Sequence, residues 1–379
     1  MGSAILMNFR DLFWKIAIHT VKALKINKMI YKCSSSKKVS YDESSLKEAR
    51  LFLETYSPNP KTSCRCQNEI EHKADIHIII PAYNVEQYIE DCLNSIFLKP
   101  TEKYSFIVTV VNDGSTDKTP DILKKYEKDP RLEIITQENR GFSGARNTAL
   151  KHIKGRYLLF VDSDDLMDWQ GVEKMMDTAL ETHADVICGS YTTIHEDGRK
   201  KHFYKRKNGN LKISTQGGVP WSKLFASHLF SDVCFPENYW YEDSIFAQIV
   251  FPRVSSAYGI DANTYFYRNR ASSITHQGVK KVKSIDSFWI TERLFEERME
   301  YGLKITTQYY EYILKMLRLT FSRIKLQPYK VKKNVFILFC DLVDKNFSGC
   351  KTDDDNCKEL EKIIKNRDVG KCIAYAKWM

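Results

Sequence analysis

No apolar run in this chain approaches the roughly 20 residues that a membrane-crossing helix needs. A transmembrane anchor is therefore not expected. The ten cysteines follow no regular spacing, and the one close pair, Cys64 and Cys66, has no second pair at zinc-site distance along the chain. Free thiols in a reducing compartment are the expectation. The N-terminal tract is interrupted too often by lysine to read as a signal peptide, so a cytoplasmic location follows. The dinucleotide fingerprint GxGxxG is missing after the first expected strand, which counts against a dehydrogenase, and there is no internal repeat.

What is present is a chain of 379 residues with 43% hydrophobic and 12% aromatic side chains, enough for a sizeable core. Lys and Arg outnumber Asp and Glu by 58 to 48, a formal charge of +10 that suits an anionic partner without choosing between nucleotide, nucleic acid and acidic membrane.

Residues 8–32 project as a basic amphipathic helix, with Phe9, Leu12, Phe13 and Ile16 on one side and Arg10, Lys15, Lys22 and Lys25 on the other. Trp14 and Ile18 fall on the basic side, so packing on the protein body and lying on an anionic membrane both remain open. A short helix between linkers is expected up to a composition break at Ala74. From there strand and helix patterns alternate, from DIHIIIPAYN through VEQYIEDCLNSIF and FIVTVVNDGSTD to RYLLFVDSDD. That rhythm predicts an α/β fold with a mixed, mainly parallel sheet flanked by helices and its chemistry at the carboxyl ends of the strands. Beyond about residue 279 the pattern turns helical. The expected division is an N-terminal helical extension and linker over 1–74, a sheet domain over 75–278 and a C-terminal helical region over 279–379.

Polar residues gather at the expected strand ends: PAYN at 81–84, VNDGSTD at 111–117 and VDSDD at 161–165. Turn chemistry and helix capping account for some of them, since Asn112, Asp113 and Gly114 make a good turn and an aspartate can cap the helix after LMDW. They do not account for Asp162, Asp164 and Asp165 together, because carboxylates so close repel one another unless a cation or solvent intervenes. Farther on, YWYED at 239–243 precedes Ile245, Phe246, Ile249 and Val250 at helical spacing. This puts Glu242 and Asp243 at a helix start, where ionised carboxylates are favoured; a capping pair is the plainer reading of the same residues.

The ordered set PAYN, VNDGSTD, NRGFSGARN, VDSDD and YWYED resembles the nucleotide-sugar-dependent glycosyltransferases of family 2, which have a GT-A fold, over roughly residues 75–276. The resemblance implies an inverting transfer from a nucleotide-sugar donor, UDP-linked by expectation, to a saccharide or lipid-linked glycan in bacterial surface-polysaccharide assembly. Pro81, Ala82, Tyr83, Asn84 and Asp113 would then hold the base and ribose, with Tyr83 able to stack on the ring. Arg140, Arg146 and Arg268 would meet the nucleotide or its phosphates, Asp162 the ribose or sugar, and Asp165 the metal ligand Asp164 or the sugar hydroxyls. Asp164, joined by His276 through a neutral imidazole, would bind a divalent ion, Mn2+ or Mg2+, that offsets the charge of the departing diphosphate. Asp243 would be the general base for the acceptor hydroxyl, while Trp221, Lys223, Trp240, Tyr241 and Glu242 would line the acceptor side.

The resemblance further implies that the basic flanks hold the enzyme peripherally at the inner membrane face, near a lipid-borne acceptor. Two rivals stand beside this reading. A nucleotidyltransferase would want a glycine-rich, lysine-bearing loop after the first strand, and PAYNVEQY lacks one. A non-enzymatic saccharide or nucleic-acid binder is allowed by the net charge, yet the basic residues are scattered rather than arranged as a recognition surface, so no nucleic acid is expected.

Overall fold

The computed structural model describes residues 27–270 and 280–379. Of the expected amphipathic helix over 8–32, only Asn27–Lys32 falls among the described residues, and it is helical. Among the described residues no helix is long and apolar enough to cross a membrane. All ten cysteines are free thiols.

Two compact units divide the described residues: a helical one built from 27–59, 280–292 and 305–379, and one holding the sheet, built from 60–270 and 293–304. This division differs from the three consecutive segments expected. In the helical unit residues 27–59 contact the later segments. The helix Glu43–Tyr56, capped by Asp42 accepting from Ser45 N at 2.8 Å, bonds the other segment through Arg50 and Glu292 at 2.6 and 2.9 Å. Trp289 Nε1 donates to Ser57 O at 2.9 Å, and Asp368 accepts from Lys37 N at 2.9 Å. The helices Thr307–Arg323, Tyr329–Asn346, Asp355–Lys365 and Val369–Trp378 complete this unit.

The sheet unit is α/β, with its sheet in the order β3-β2-β1-β4-β9-β6-β10-β5, while β7 pairs with β6 and β8 with β10. The strands are β1 Glu69–Ala82, β2 Phe106–Asn112, β3 Leu132–Thr136, β4 His152–Phe160, β5 Leu166–Met167, β6 Val186–Ile194, β7 Lys200–Tyr204, β8 Gly209–Asn210, β9 Lys223–Ala226 and β10 Ala257–Arg268. Its long pairings, β1 with β2 and β4, β2 with β3 and β6 with β10, are parallel, and the short ones are antiparallel. The mixed, mainly parallel sheet read from the sequence is the one that forms. β1 starts ahead of the composition break: Glu69 pairs with His152, and the register then shifts between Ile70 and Ala74, with His72 at φ +48°. The break at Ala74 marks a bulge inside a strand.

Ile76, Ile78 and Ile80 bury one face of β1 against Leu93 and Ile96 of the helix Ile89–Phe97, while helix Gly141–Leu150 also packs on β1. Helices on both faces explain why these strands read as continuous apolar runs. After β3 the chain returns to the other side of β1 to form β4, so β1, β2 and β4 end side by side at Ala82, Asn112 and Phe160. Their polar sequels converge on one rim at a reversal of strand order, where open α/β sheets hold ligands.

One polar side chain sits deep in this sheet. His77 is fully buried in β1, its Nε2 2.8 Å from Thr109 Oγ1 and its Nδ1 accepting from Lys154 N at 3.3 Å. Burial pushes its pKa down to about 3, so the folded chain holds it neutral. The unfolded chain protonates this group below about 6.5 while the folded one does not, so its contribution to stability is intact above that pH and is lost as pH falls. Between pH 7 and pH 5 the loss from this residue is about 2 kcal/mol. Urea titrations of the wild type and His77→Gln at both pH values should show the wild type losing more stability on acidification by that amount; equal losses would mean that His77 does not titrate as described.

Candidate functional site

At the end of β2, Asp113 is almost fully buried, and its Oδ1 accepts from Gln137 Nε2 at 2.6 Å and from Arg140 N at 2.9 Å. Its Oδ2 is buried with no protein partner, the position of an acceptor waiting for a donor. Next to it Gly114 has φ +74°, and a Cβ there would lie 3.0 Å from Asn139 N, so the turn needs glycine. From the neighbouring strand end, Asn84 accepts from Thr116 N at 2.8 Å and ties the two loops together. Ala82 is core and Pro81 half-buried, whereas Tyr83 stands 49% exposed on the rim, free to stack on a flat ring.

At the end of β4 the aspartates separate into different roles. Asp165 is turned inward, accepting from Tyr265 OH at 2.8 Å and from Arg268 N at 2.7 Å, so it fastens this loop to β10. Burial, then Asp164 and Asp162, push its carboxyl well above the usual range. Its carboxylate is buried and taken up by these two partners. Asp162 and Asp164 remain partly open, with side chains 29% and 18% exposed. Asp164 is ion-paired through Oδ2 with Arg270, and its carboxyl is raised by burial and by Asp162.

Arg268, expected at the donor, is instead buried: it donates to the backbone oxygens of Asp164 at 2.9 Å and Glu196 at 2.6 Å and lies 5.3 Å over the Tyr88 ring. Two residues on, Arg270 lies 5.0 Å over the same Tyr88 ring and pairs with the Asp164 carboxylate, whereas Arg268 meets that loop through backbone oxygens. His276 lies outside the described residues.

The two acidic motifs meet at Arg146. This guanidinium, on helix Gly141–Leu150, is 5% exposed, with Nη2 2.8 Å from Asp162 Oδ1 and Nη1 2.8 Å from Glu242 Oε1. It sits 5.3 Å over the Phe235 ring. Arg146 is therefore committed to two carboxylates rather than presented to a phosphate. Burial pushes the Glu242 carboxyl up to about 7, with Arg146 pulling it down and Asp243 pushing it up. Glu242 thus belongs to this bridge, and the half-buried Asp243 is the carboxylate next to it.

The segment carrying Asp243 is held from the same helix. Asn147 exchanges bonds with the Phe235 backbone at 2.7 and 2.8 Å and donates to Glu237 at 3.1 Å, and Glu237 also pairs with the exposed Arg140 at 2.6 Å. Tyr241 has φ +66°, unusual for a ring-bearing residue, and Phe246–Val250 winds as a π-helix turn. Both are departures from regular backbone of the kind found at functional sites. Trp240 and Tyr241 are half-buried beside Asp243, their rings 6.3 Å apart and edge-on. Glu237, Gln137 and Tyr265 had no signal in the sequence, since each acts through a partner at least 11 positions away, and Asn147 showed only as the last residue of NRGFSGARN.

Trp221 and Lys223, expected to touch the acceptor, are buried. Trp221 is stacked on Tyr265 at 5.0 Å and Tyr267 at 5.2 Å, and Lys223 donates from Nζ to Val219 O at 2.7 Å. Strand β9 places Lys223 inside the sheet, paired with Cys188, and burial pushes its ammonium down to about 8. The loop before it stays close to the acidic segment: a Cβ on Gly218 would lie 2.8 Å from Asp243 O.

The donor set at the rim fits a divalent cation. Asp162 and Asp164 each engage an arginine through one oxygen, leaving a second hard oxygen on each, and magnesium or manganese takes one or two carboxylates with phosphate oxygens and water. Among the described residues, three ligand atoms approach within 4.8 Å only at Glu69, Glu71 and His152, at the opposite, amino-terminal ends of β1 and β4.

Replacing Arg146 by Met should strip the buried Glu242 and the partly open Asp162 of their partner and cost about 3–5 kcal/mol. Adding Glu242→Gln should recover part of that loss, because an amide carries no charge into the same place. Urea unfolding of the single and double variants checks this; a double variant weaker than the single one would overturn the bridge as described.

Comparison with known proteins bears on the same residues. Residues 77–231 match glycosyl transferase family 2. Glycosyltransferase GlyA of Streptococcus pneumoniae is 34% identical over 226 residues, which cover 54% of this chain and 32% of GlyA. The poly(ribitol-phosphate) beta-N-acetylglucosaminyltransferase TarS of Staphylococcus aureus is 29% identical over 201 residues, 51% of this chain and 35% of TarS. The match thus spans about a third of the length of each. The crystal structure of S. aureus TarS 1–349 with UDP-GlcNAc is 22% identical, covers 77% of this chain and 89% of that one, and has a TM-score of 0.49. The likeness to glycosyl transferase family 2 thus extends over residues 77–231 of this chain.

Proposed function

We propose that this chain is an inverting glycosyltransferase that moves a sugar from a UDP-linked donor to a hydroxyl of a saccharide or lipid-linked glycan during assembly of a cell-surface polysaccharide. The observation that carries this reading is the Arg146 bridge, which joins Asp162 of the donor-side motif to Glu242, the residue before Asp243. The match of residues 77–231 to glycosyl transferase family 2 and relatives named as glycosyltransferases, one of them for a polymer acceptor, support it.

The chemistry follows from the placement. Tyr83 would stack on the base, and the unpartnered Oδ2 of Asp113 would accept a donor N–H or O–H from the uridine. Asp243 would take the proton of the acceptor hydroxyl as that oxygen attacks the anomeric carbon from the side opposite the diphosphate. The glycosyl–phosphate bond breaks with its electron pair on the diphosphate, and the configuration inverts. A divalent ion held at Asp164 would supply positive charge to the leaving diphosphate. Arg270, already beside that carboxylate, would add to the same effect. Peripheral attachment to the inner membrane face belongs to this proposal through the basic tract over 8–32, of which only Asn27–Lys32 falls among the described residues.

Asp243→Asn should keep UDP affinity and lose transfer by about 10²–10⁴-fold, read by calorimetry and by product formation. Transfer near the wild-type rate would remove Asp243 from the mechanism. For Asp164→Ala, calorimetry of UDP binding with and without manganese should show the gain on adding metal in the wild type alone. The same gain in both proteins would refute the metal site. A thermal-shift screen of UDP-, GDP- and CDP-sugars identifies the donor class, since a ligand of the native state raises the melting point.

A further inference from the structure

The strand β7 is the least explained surface of the sheet unit. From residue 198 to residue 231 the sequence contains no Asp or Glu, and Arg199, Lys200, Lys201, Lys205, Arg206 and Lys207 crowd its beginning. Every residue of β7 is exposed, and the strand pairs only with β6 among the described residues. Lysines on an edge strand commonly serve to block aggregation. That purpose does not call for large rings in the open, yet Phe203 is 43% and Tyr204 46% exposed.

The rings are also not isolated. His202 lies 4.3 Å from Tyr204, Tyr204 stacks at 4.7 Å on Tyr191, and Tyr191 meets the edge of Trp221 at 4.8 Å. Trp221 stacks on Tyr265, whose hydroxyl donates to Asp165 and accepts from Asp162 N. A continuous ladder of rings therefore runs from the solvent-exposed strand to the acidic loop. The same hairpin is fastened at its turn, where Arg268 bonds Glu196 O and Asp164 O. Aromatic faces suit the C–H faces of pyranose rings, and ammonium groups suit carboxylates or phosphates carried on them.

We propose that β7 is the docking strand for the acceptor, and that the acceptor is a chain of sugar rings carrying acidic groups. Charge complementarity selects an acidic chain and the exposed rings select a saccharide. Salt bridges at the strand's margins, Arg199 with Asp197 and Lys205 with Asp261, are solvent-exposed and exchange readily for a charged ligand. The proposal rests on the glycosyltransferase reading and names its acceptor class.

The test uses the full chain and three labelled probes read by fluorescence anisotropy: an oligogalacturonate, a neutral maltooligosaccharide of the same length and a single-stranded oligonucleotide of the same charge. Oligogalacturonate should bind, more weakly as salt rises. The variant Lys200→Gln/Lys201→Gln/Lys205→Gln and, separately, Tyr204→Ala should each bind it about tenfold more weakly. Equal binding of the maltooligosaccharide overturns the acidic acceptor, equal or tighter binding of the oligonucleotide makes β7 a nucleic-acid surface, and affinity unchanged in both variants overturns the site. UDP binding measured in parallel separates the two readings. If UDP binds and oligogalacturonate does not, the β7 proposal alone fails; if UDP does not bind, the donor reading fails.

Discussion

A buried guanidinium between two carboxylates is the constraint on which the site depends. Arg146 reaches Asp162 at the end of β4 and Glu242 in a segment almost a hundred residues later. Its burial forbids leaving any of the three without a partner, since an unpaired charge in that place costs several kcal/mol. The loop after β4 and the segment around Asp243 therefore cannot drift apart without breaking this bridge. Helix Gly141–Leu150 reinforces the arrangement one residue on, where Asn147 grips the Phe235 backbone in both directions.

The acidic loop shows the same division of labour within four residues. Asp165 serves the fold, bound to Tyr265 and the Arg268 backbone, so that β10 is locked to the end of β4. This frees Asp162 and Asp164 to keep one oxygen each toward the rim. Burial, and then the charge of Asp162, raise the carboxyl of Asp164, and Arg270 and Arg268 pull it back. A site built this way holds negative charge beside a carrier of positive charge.

Much of this was legible in the chain because the relevant signals are local. Period-two and continuous apolar runs marked β1, β2 and β4, and the polar residues after them fell at the reversal of strand order. The turn at Asp113 and Gly114 could be read directly. The assignments that changed were those where a side chain's role depends on a distant partner. Arg146 and Arg268 looked like phosphate ligands because arginine often is one. Trp221 and Lys223 looked exposed because nothing in GGVPWSKLF reveals that a short antiparallel strand carries them into the sheet.

Sequence alone determined the alternation of elements and the order of the motifs, because hydrophobic period and turn chemistry act over a few residues. Only the tertiary structure decided which aspartate is inward and which faces the rim, which arginine pairs with which carboxylate, and that residues 27–59 share one helical unit with residues 305–379. Those outcomes depend on burial, and burial is set by residues far apart in sequence: an ionised group removed from water must find its partner wherever the fold brings one.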